Sequence, residues 1–256
     1  MKKAQPMKRW RFLIPNFFTA SCAILGLASI LLALEASLYW AAWCILWSVL
    51  LDKADGTAAR LLNATSAFGT QFDSMADLIS FGLAPALLIY SASRHAWNIS
   101  SGQAYWWVLL VGCSLYAICA ALRLARFHVA ETANGQRYFT GMPTTLCGAM
   151  VGSALLVGIK YDLSVHILRN LPIFLGLMGI GMVSKLPVPK LLPRQNKVLN
   201  TLQIVNVVAI YLCGFTMKFP EYVLGLATLY LLVGTLYGMF KHPRAVQSAA
   251  ERSGQI

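Results

Sequence analysis

The chain has 256 residues, of which 58% are hydrophobic and only 12% are charged, and its mean hydropathy is +0.63. About a quarter of the residues of a soluble domain are charged, so this composition excludes an ordinary soluble globular protein and indicates a membrane protein. The formal net charge of +12 does not indicate nucleic-acid binding, because the basic residues fall between long apolar segments rather than on one water-soluble face.

A membrane-spanning helix needs about 20 mostly apolar residues, and the sequence predicts eight such spans. They cover residues 12–34, 38–60, 68–92, 104–127, 143–160, 166–184, 201–217 and 220–240. We therefore expect an all-α polytopic membrane protein built as one membrane domain over residues 1–256. A basic segment at 1–11 precedes the first span, and a tail at 241–256 follows the last.

Lysine and arginine are concentrated on one side of these predicted spans. With eight spans, sixteen basic residues fall on the side of the termini. The other side receives Arg94, Lys160, Arg169 and Lys218. Because cytoplasmic loops hold the excess of basic residues, we expect both termini, and the connection between the second and third spans, to be cytoplasmic.

Four of the nine acidic residues lie close together, at Asp52, Asp55, Asp73 and Asp77. An ionised carboxylate in or near hydrocarbon costs about 2.5–3.5 kcal/mol on insertion scales, so such a cluster indicates a functional site. The first pair is three residues apart and the second pair four, so each pair lies on one helical face. If the short connection makes the two helices antiparallel neighbours, the carboxylates converge into an oxygen cage that suits Mg²⁺, Mn²⁺ or Ca²⁺.

Small residues surround the carboxylates, at Gly56, Ala58, Ala59 and Gly69. In membrane helices such residues permit either close helix contact or close approach of a ligand to the backbone. Their position beside the acids favours the second interpretation.

At this point the residues resemble a known family. The chain reads Asp52-Lys-Ala-Asp55-Gly56-Thr-Ala-Ala59-Arg60 and, eight residues later, Gly69-Thr-Gln-Phe-Asp73-Ser-Met-Ala-Asp77. This pattern is similar to the complete signature of the CDP-alcohol phosphatidyltransferases, D-x-x-D-G-x-x-A-R-x₈-G-x-x-x-D-x-x-x-D. The resemblance implies a homodimeric membrane enzyme that transfers a phosphatidyl group from CDP-diacylglycerol to the hydroxyl of an alcohol and releases CMP.

The resemblance also implies roles for individual residues. Two divalent ions, Mg²⁺ or Mn²⁺, would be held by Asp52, Asp55 and Asp73, and Asp77 would lie near or on the ions and act as general base. The candidates for CDP-lipid binding are Asp52, Gly56, Thr57, Ala59, Arg60, Gly69 and Asn16. For two of them a structural role is equally open, since Thr57 could be an inert helix hydroxyl and Asn16 a helix cap.

Other segments narrow the resemblance within the family. Ile-Pro-Asn at 14–16, Ser-Phe-Gly-Leu-Ala-Pro at 80–85, Arg-Leu-Ala-Arg-Phe at 123–127 and Phe-Thr-Gly-Met-Pro at 139–143 are similar to elements of bacterial and archaeal phosphatidylserine synthases. One departure is Thr144-Thr145, where a serine-proline pair often follows.

The same resemblance implies L-serine as the acceptor. Arg123 and Arg126 could bind its carboxylate with a guanidinium fork, or they could anchor the helix in the interface. Gly141 and Pro143 belong to the same candidate pocket.

Two alternatives remain open from the sequence. Within the same chemistry, the acceptor could be inositol phosphate, glycerol phosphate or choline. In another class, buried acids could form the relay of an ion or proton transporter, although such acids usually spread over several helices near the bilayer midplane. We expect an integral protein of a bacterial or archaeal inner membrane whose active site faces the cytoplasm.

Overall fold

The computed structural model describes residues 10–96, 98–99, 102–131, 138–184, 186–189 and 197–241. Within these ranges the chain is almost entirely helical. In chain order the elements are α1 (Trp10–Leu34), α2 (Leu38–Leu61), α3 (Ala67–Asp77), a π-helical segment (Leu78–Leu83), α4 (Ala84–His95), α5 (Ala104–Glu131), β1 (Tyr138–Thr140), α6 (Thr144–Lys160), α7 (Val165–Leu168), α8 (Leu171–Val183), β2 (Pro187–Pro189), α9 (Lys197–Thr216) and α10 (Pro220–Lys241). Most of the predicted segments 1–11 and 241–256 lies outside the described residues.

Every predicted span overlaps helical structure in these ranges, and the third and sixth spans consist of consecutive helices. Among the described residues, four segments are long and apolar enough to cross a membrane: Arg11–Leu34, Ala67–His95, Ala104–Arg126 and Val165–Val183. Shorter apolar helices cover Thr144–Lys160, Thr201–Thr216 and Pro220–Leu236. The protein is therefore an α-helical polytopic membrane protein.

The third predicted span is not the uninterrupted α-helix that its apolar length suggests. Its hydrogen-bonding pattern changes to a π-helix at Leu78–Leu83, directly after Asp77. Pro85 has no backbone N–H, so the carbonyl of Phe81 lacks the donor that an α-helix would supply four residues later. The hydroxyl of Tyr116 on α5 donates to that carbonyl at 2.8 Å and replaces the missing bond.

A short antiparallel ladder between β1 and β2 departs from the all-helical expectation. It pairs Tyr138 with Pro189 and Thr140 with Pro187. The turn after β1 continues the contact, because Gly141 N–H donates to the carbonyl of Leu186 at 2.9 Å. Gly141 has φ +84°, and a Cβ there would overlap the carbonyl oxygen of Met182. Only glycine fits this turn without strain.

The helices that carry the aspartates pack closely on α1. The hydroxyl of Ser80 in the π-helical segment donates to the carbonyl of Cys22 at 2.9 Å, and the hydroxyl of Ser48 on α2, shared with the carbonyl of Cys44, lies 3.3 Å from the same oxygen. A Cβ at Gly26 of α1 would overlap Ser80. These buried hydrogen bonds hold α1, α2 and the π-helical segment together below the acidic cluster.

Candidate active site

Three carboxylates converge where α2 ends and α3 begins. Asp52 and Asp55 project from α2 and Asp73 from α3, and one carboxylate oxygen of each lies within 4.8 Å of the others. The turn between the helices is compact, and the Ser66 side chain caps α3 by accepting a hydrogen bond from Gly69 N–H at 3.0 Å. Carboxylates from the two helices thus converge, and three of the four aspartates of the expected cage share one group.

Asp77 lies one helical turn beyond Asp73 and is not part of this three-residue group. Its Oδ1 atom is buried and accepts no hydrogen bond from the residues that the structure describes. A buried carboxylate oxygen without a donor is costly. The atom is thus free to accept a proton or a cation.

Two side chains hold the α2 carboxylates. Thr19 of α1 is buried and its hydroxyl lies 2.9 Å from Oδ2 of Asp55, to which it donates. The exposed Lys53 ammonium lies 3.7 Å from Oδ2 of Asp52. Clustered carboxylate oxygens with one lysine beside them suit a divalent cation of the Mg²⁺ or Mn²⁺ type.

The two glycines of the motif have different surroundings. A Cβ at Gly56 would meet nothing nearer than Nη1 of Arg60, at 3.9 Å, so packing within the protein does not require a glycine there. A Cβ at Gly69 would lie 3.1 Å from Oγ of Ser66 and 3.5 Å from Oδ1 of Asn16. The structure therefore brings Asn16 of α1 to the start of α3, and it leaves open space beside Gly56.

The other nucleotide-binding candidates lie on the exposed side of α2. Thr57 donates its hydroxyl to the carbonyl of Lys53 at 2.8 Å, which is a bond within its own helix. Arg60 is exposed, and its Nη2 lies 3.5 Å from Oγ1 of Thr57. Ala59 is half-buried beside it.

Arg123 of α5 contacts the start of α6. Its Nη1 donates to Oγ1 of the buried Thr144 at 3.2 Å, directly after Pro143. Its Nε is buried and has no hydrogen-bond partner among the described residues, and its charge interacts with those of Asp77 and Asp52. The guanidinium therefore has a buried N–H donor available.

Arg126 and Gly141 are placed differently from Arg123. Arg126 is exposed, and its Nη1 lies 3.4 Å from the carbonyl of Val183 at the end of α8. Gly141 serves the backbone turn described above. Of the four candidates for the alcohol pocket, the structure brings Arg123 and Pro143 together through Thr144.

Sequence reasoning missed the supporting roles of Thr19 and Thr144. Thr19 lies three residues after Asn16, so both fall on one face of α1, and this spacing was an available signal. Thr144 stands out in the sequence only as a departure from a family pattern. Its contact with Arg123 joins segments 21 residues apart, and local spacing carries no signal for such a contact.

Fold and site together define an integral membrane protein with a carboxylate cluster suited to divalent cations. The sequence model of the CDP-alcohol phosphatidyltransferase family matches residues 12–186. The chain belongs to this family.

The chain is similar over most of its length to named relatives from bacteria and archaea. It is 33% identical over 230 residues to a CDP-diacylglycerol–serine O-phosphatidyltransferase of Helicobacter pylori, covering 90% of this chain and 92% of the relative. The protein of the same name from Methanocaldococcus jannaschii is 30% identical over 231 residues, with 90% and 94% covered. The archaetidylserine synthase of Methanothermobacter thermautotrophicus is 37% identical over 153 residues, which are 59% of this chain and 61% of that protein.

Proposed function

We propose that this protein transfers the phosphatidyl group of CDP-diacylglycerol to the hydroxyl of L-serine and releases CMP. The observation that carries the proposal is the convergence of Asp52, Asp55 and Asp73, together with the buried Oδ1 of Asp77, which has no hydrogen-bond partner among the described residues. Membership in the family and the names of relatives that match 90% of the chain support the same reaction.

The acidic cluster has the composition of a two-metal site. Asp52, Asp55 and Asp73, with Asp77 beside them, would hold two divalent cations, Mg²⁺ or Mn²⁺. When bound, such ions neutralise the pyrophosphate and the departing CMP. Thr19 orients Asp55 for this role through its hydrogen bond.

The chemical step needs a base at the serine hydroxyl. In our proposal Oδ1 of Asp77 accepts the hydroxyl proton, the serine oxygen bonds to the lipid-bearing phosphorus, and the bond from that phosphorus to the CMP oxygen breaks. The absence of a hydrogen-bond donor to Oδ1 among the described residues supports this assignment. Asp77 thus both accepts the proton and contributes to the negative potential of the site.

The CDP-lipid would lie along the exposed face of α2. The open space beside Gly56 would admit the nucleotide to the helix backbone, and Arg60 would reach its phosphates. Ala59, Gly69 and Asn16 border the same region. Thr57 would have a smaller part, because its hydroxyl already donates within the helix.

Serine would be recognised at its carboxylate by Arg123. The buried Nε, which has no partner in the described part of the chain, and the interaction of Arg123 with the charge of Asp77 support this position for the acceptor. Thr144 holds the guanidinium from the other side. Arg126, being exposed, would act at the mouth of the pocket, with Gly141 and Pro143 shaping its wall.

The proposed topology has eight spans in one domain over residues 1–256, with both termini and the active site facing the cytoplasm of a bacterial or archaeal cell. It rests on the asymmetric distribution of lysine and arginine. Assembly as a homodimer is proposed from the family alone.

The test is CMP release from CDP-diacylglycerol by the purified protein. It is measured with Mg²⁺ or Mn²⁺ and, in separate reactions, L-serine, inositol phosphate, glycerol phosphate or choline. We expect release that depends on L-serine and on the metal. Release with inositol phosphate but not serine would overturn the acceptor, and no release with any alcohol would overturn the enzyme.

The control for the base is Asp77→Asn. This variant should bind CDP-diacylglycerol and release no CMP, since the amide cannot take the proton. Turnover like that of the unmodified protein would remove Asp77 from the base role.

A further inference from the structure

Helix α9 is joined to α2 by two reciprocal hydrogen bonds. Nε1 of Trp47 on α2 donates to the carbonyl of Gly214 on α9 at 2.9 Å. The hydroxyl of Tyr211 on α9 donates to the carbonyl of Leu50 on α2, also at 2.9 Å. Trp47 precedes Leu50 along α2, whereas their partners occur in the reverse order along α9. The two helices therefore run antiparallel at this contact.

Each bond has a definite physical role. Gly214 lies in the last turn of α9, where backbone carbonyls lack helical donors, and Trp47 supplies one. A Cβ at Gly214 would overlap the side chain of Leu50, so the glycine permits this close approach. The Leu50 carbonyl belongs to the peptide unit that ends one residue before Asp52. Tyr211 therefore holds the backbone immediately before the first carboxylate.

Near the carboxylates of α2 a further hydrogen bond comes from α1. Thr19 of α1 donates to Asp55, while Lys53, Thr57 and Arg60 are exposed. The hydroxyl of Tyr211 is close enough to Asp52 and Asp55 for their charges to act on it. Helix α9 lies outside the stretch 12–186 that the family model matches, so the family signature assigns it no part in the site.

We propose that Tyr211 is a positioning residue, which fixes the α2 backbone so that Asp52 and Asp55 stand at the spacing a divalent cation needs. This inference rests on the proposed metal-dependent function. Tyr211 acts through the peptide backbone and touches neither substrate nor metal. Its loss should therefore weaken metal binding while leaving the protein folded.

The experiment measures Mn²⁺ binding to the purified full-length protein in detergent by electron paramagnetic resonance, without substrates. Tyr211→Phe removes only the hydroxyl, and Trp47→Phe breaks the companion bond. The matched control is Tyr222→Phe, which removes a hydroxyl that bonds Asn206 of α9 at 2.6 Å and does not reach α2. Size-exclusion profiles establish that each variant is folded.

We expect Tyr211→Phe to weaken Mn²⁺ binding by about three- to tenfold, the range for loss of one hydrogen bond that orients a ligand. Trp47→Phe should weaken it in the same direction, and Tyr222→Phe should leave it unchanged. The Mn²⁺ concentration for half-maximal CMP release should shift by the same factor.

Equal Mn²⁺ affinity in Tyr211→Phe and the unmodified protein would overturn the positioning role. Equal weakening in Tyr222→Phe would also overturn it, because general packing of α9 would then explain the effect. If Tyr211→Phe does not fold, unchanged affinity in Trp47→Phe overturns the positioning role in its place. An unmodified protein that binds no Mn²⁺ would refute the metal site itself, a failure distinct from those of the variants.

Discussion

Gly56 is a motif glycine that packing within the protein does not require. Its missing Cβ faces open space with Arg60 at the far side, so a methyl group there should not disturb the fold. In a helix, alanine in place of glycine stabilises by up to about 1 kcal/mol. Packing within the protein thus gives no reason for a glycine here, and in the proposed function this space serves the nucleotide.

Gly56→Ala should fold normally and lose about tenfold or more of kcat/KM for CDP-diacylglycerol, because the methyl group occupies nucleotide space. The matched control is Gly225→Ala on α10, whose Cβ would meet nothing within 4 Å and which should keep full activity. Steady-state CMP release and thermal unfolding check both variants. Full activity in Gly56→Ala would show that no ligand approaches that position.

The proposed binding of the serine carboxylate by Arg123 can be tested by changing this one side chain. Arg123→Gln removes the charge and the buried Nε donor, so the KM for L-serine should rise by about tenfold or more. The KM for CDP-diacylglycerol should change little.

Arg126→Gln is the comparison for Arg123, because Arg126 is exposed. Its effect on the serine KM should be smaller. Kinetics with varied serine at saturating CDP-diacylglycerol distinguish the two arginines, and equal effects would contradict the assignment of the carboxylate to Arg123.

At the scale of elements, the π-helical segment is the feature that apolar length does not predict. Residues 68–92 read as one span, and helical structure indeed runs without a break from Ala67 to His95. The local sequence signals only the proline. What completes the segment is the Tyr116 hydroxyl, which comes from a different helix. π-Helical segments often occur beside functional residues, and this one begins directly after Asp77.

Tyr116→Phe should destabilise the protein by about 1–3 kcal/mol, because it removes the hydroxyl that donates to the buried carbonyl of Phe81. The melting temperature in detergent should fall, and turnover should fall with it as Asp77 loses its rigid support. Ser21→Ala is the control, since that exposed hydroxyl bonds only the carbonyl of Phe17 in its own helix. An unchanged melting temperature in Tyr116→Phe would contradict the role of this bond.

At the scale of the whole molecule, the orientation in the membrane can be tested with single cysteines. Thr65 lies in the exposed turn between α2 and α3, and Gln103 lies in the exposed turn before α5. In intact cells a membrane-impermeant maleimide should label Gln103→Cys and leave Thr65→Cys unlabelled until the membrane is opened. All six native cysteines are buried, so the unmodified protein provides the background. The reverse pattern would invert the proposed topology.

The sequence by itself determined the helical segments and which aspartates share a helical face. Apolar length sets a membrane helix, and spacings of three and four residues set which carboxylates share a face. Both are local properties of the chain, so residue spacing alone pairs Asp52 with Asp55 and Asp73 with Asp77, while the structure brings Asp52, Asp55 and Asp73 into one group. The expected reaction followed from which residues stand at the signature positions.

Only the tertiary structure decided how neighbouring residues divide their roles. It separated Gly56, which faces open space, from Gly141, which a turn requires, and it distinguished the half-buried Arg123, whose Nε is buried, from the exposed Arg126. It also joined Tyr211 to Leu50 across 161 residues. Such contacts depend on which helices pack together, and that is decided by side-chain shapes far apart in the chain, which residue spacing does not encode.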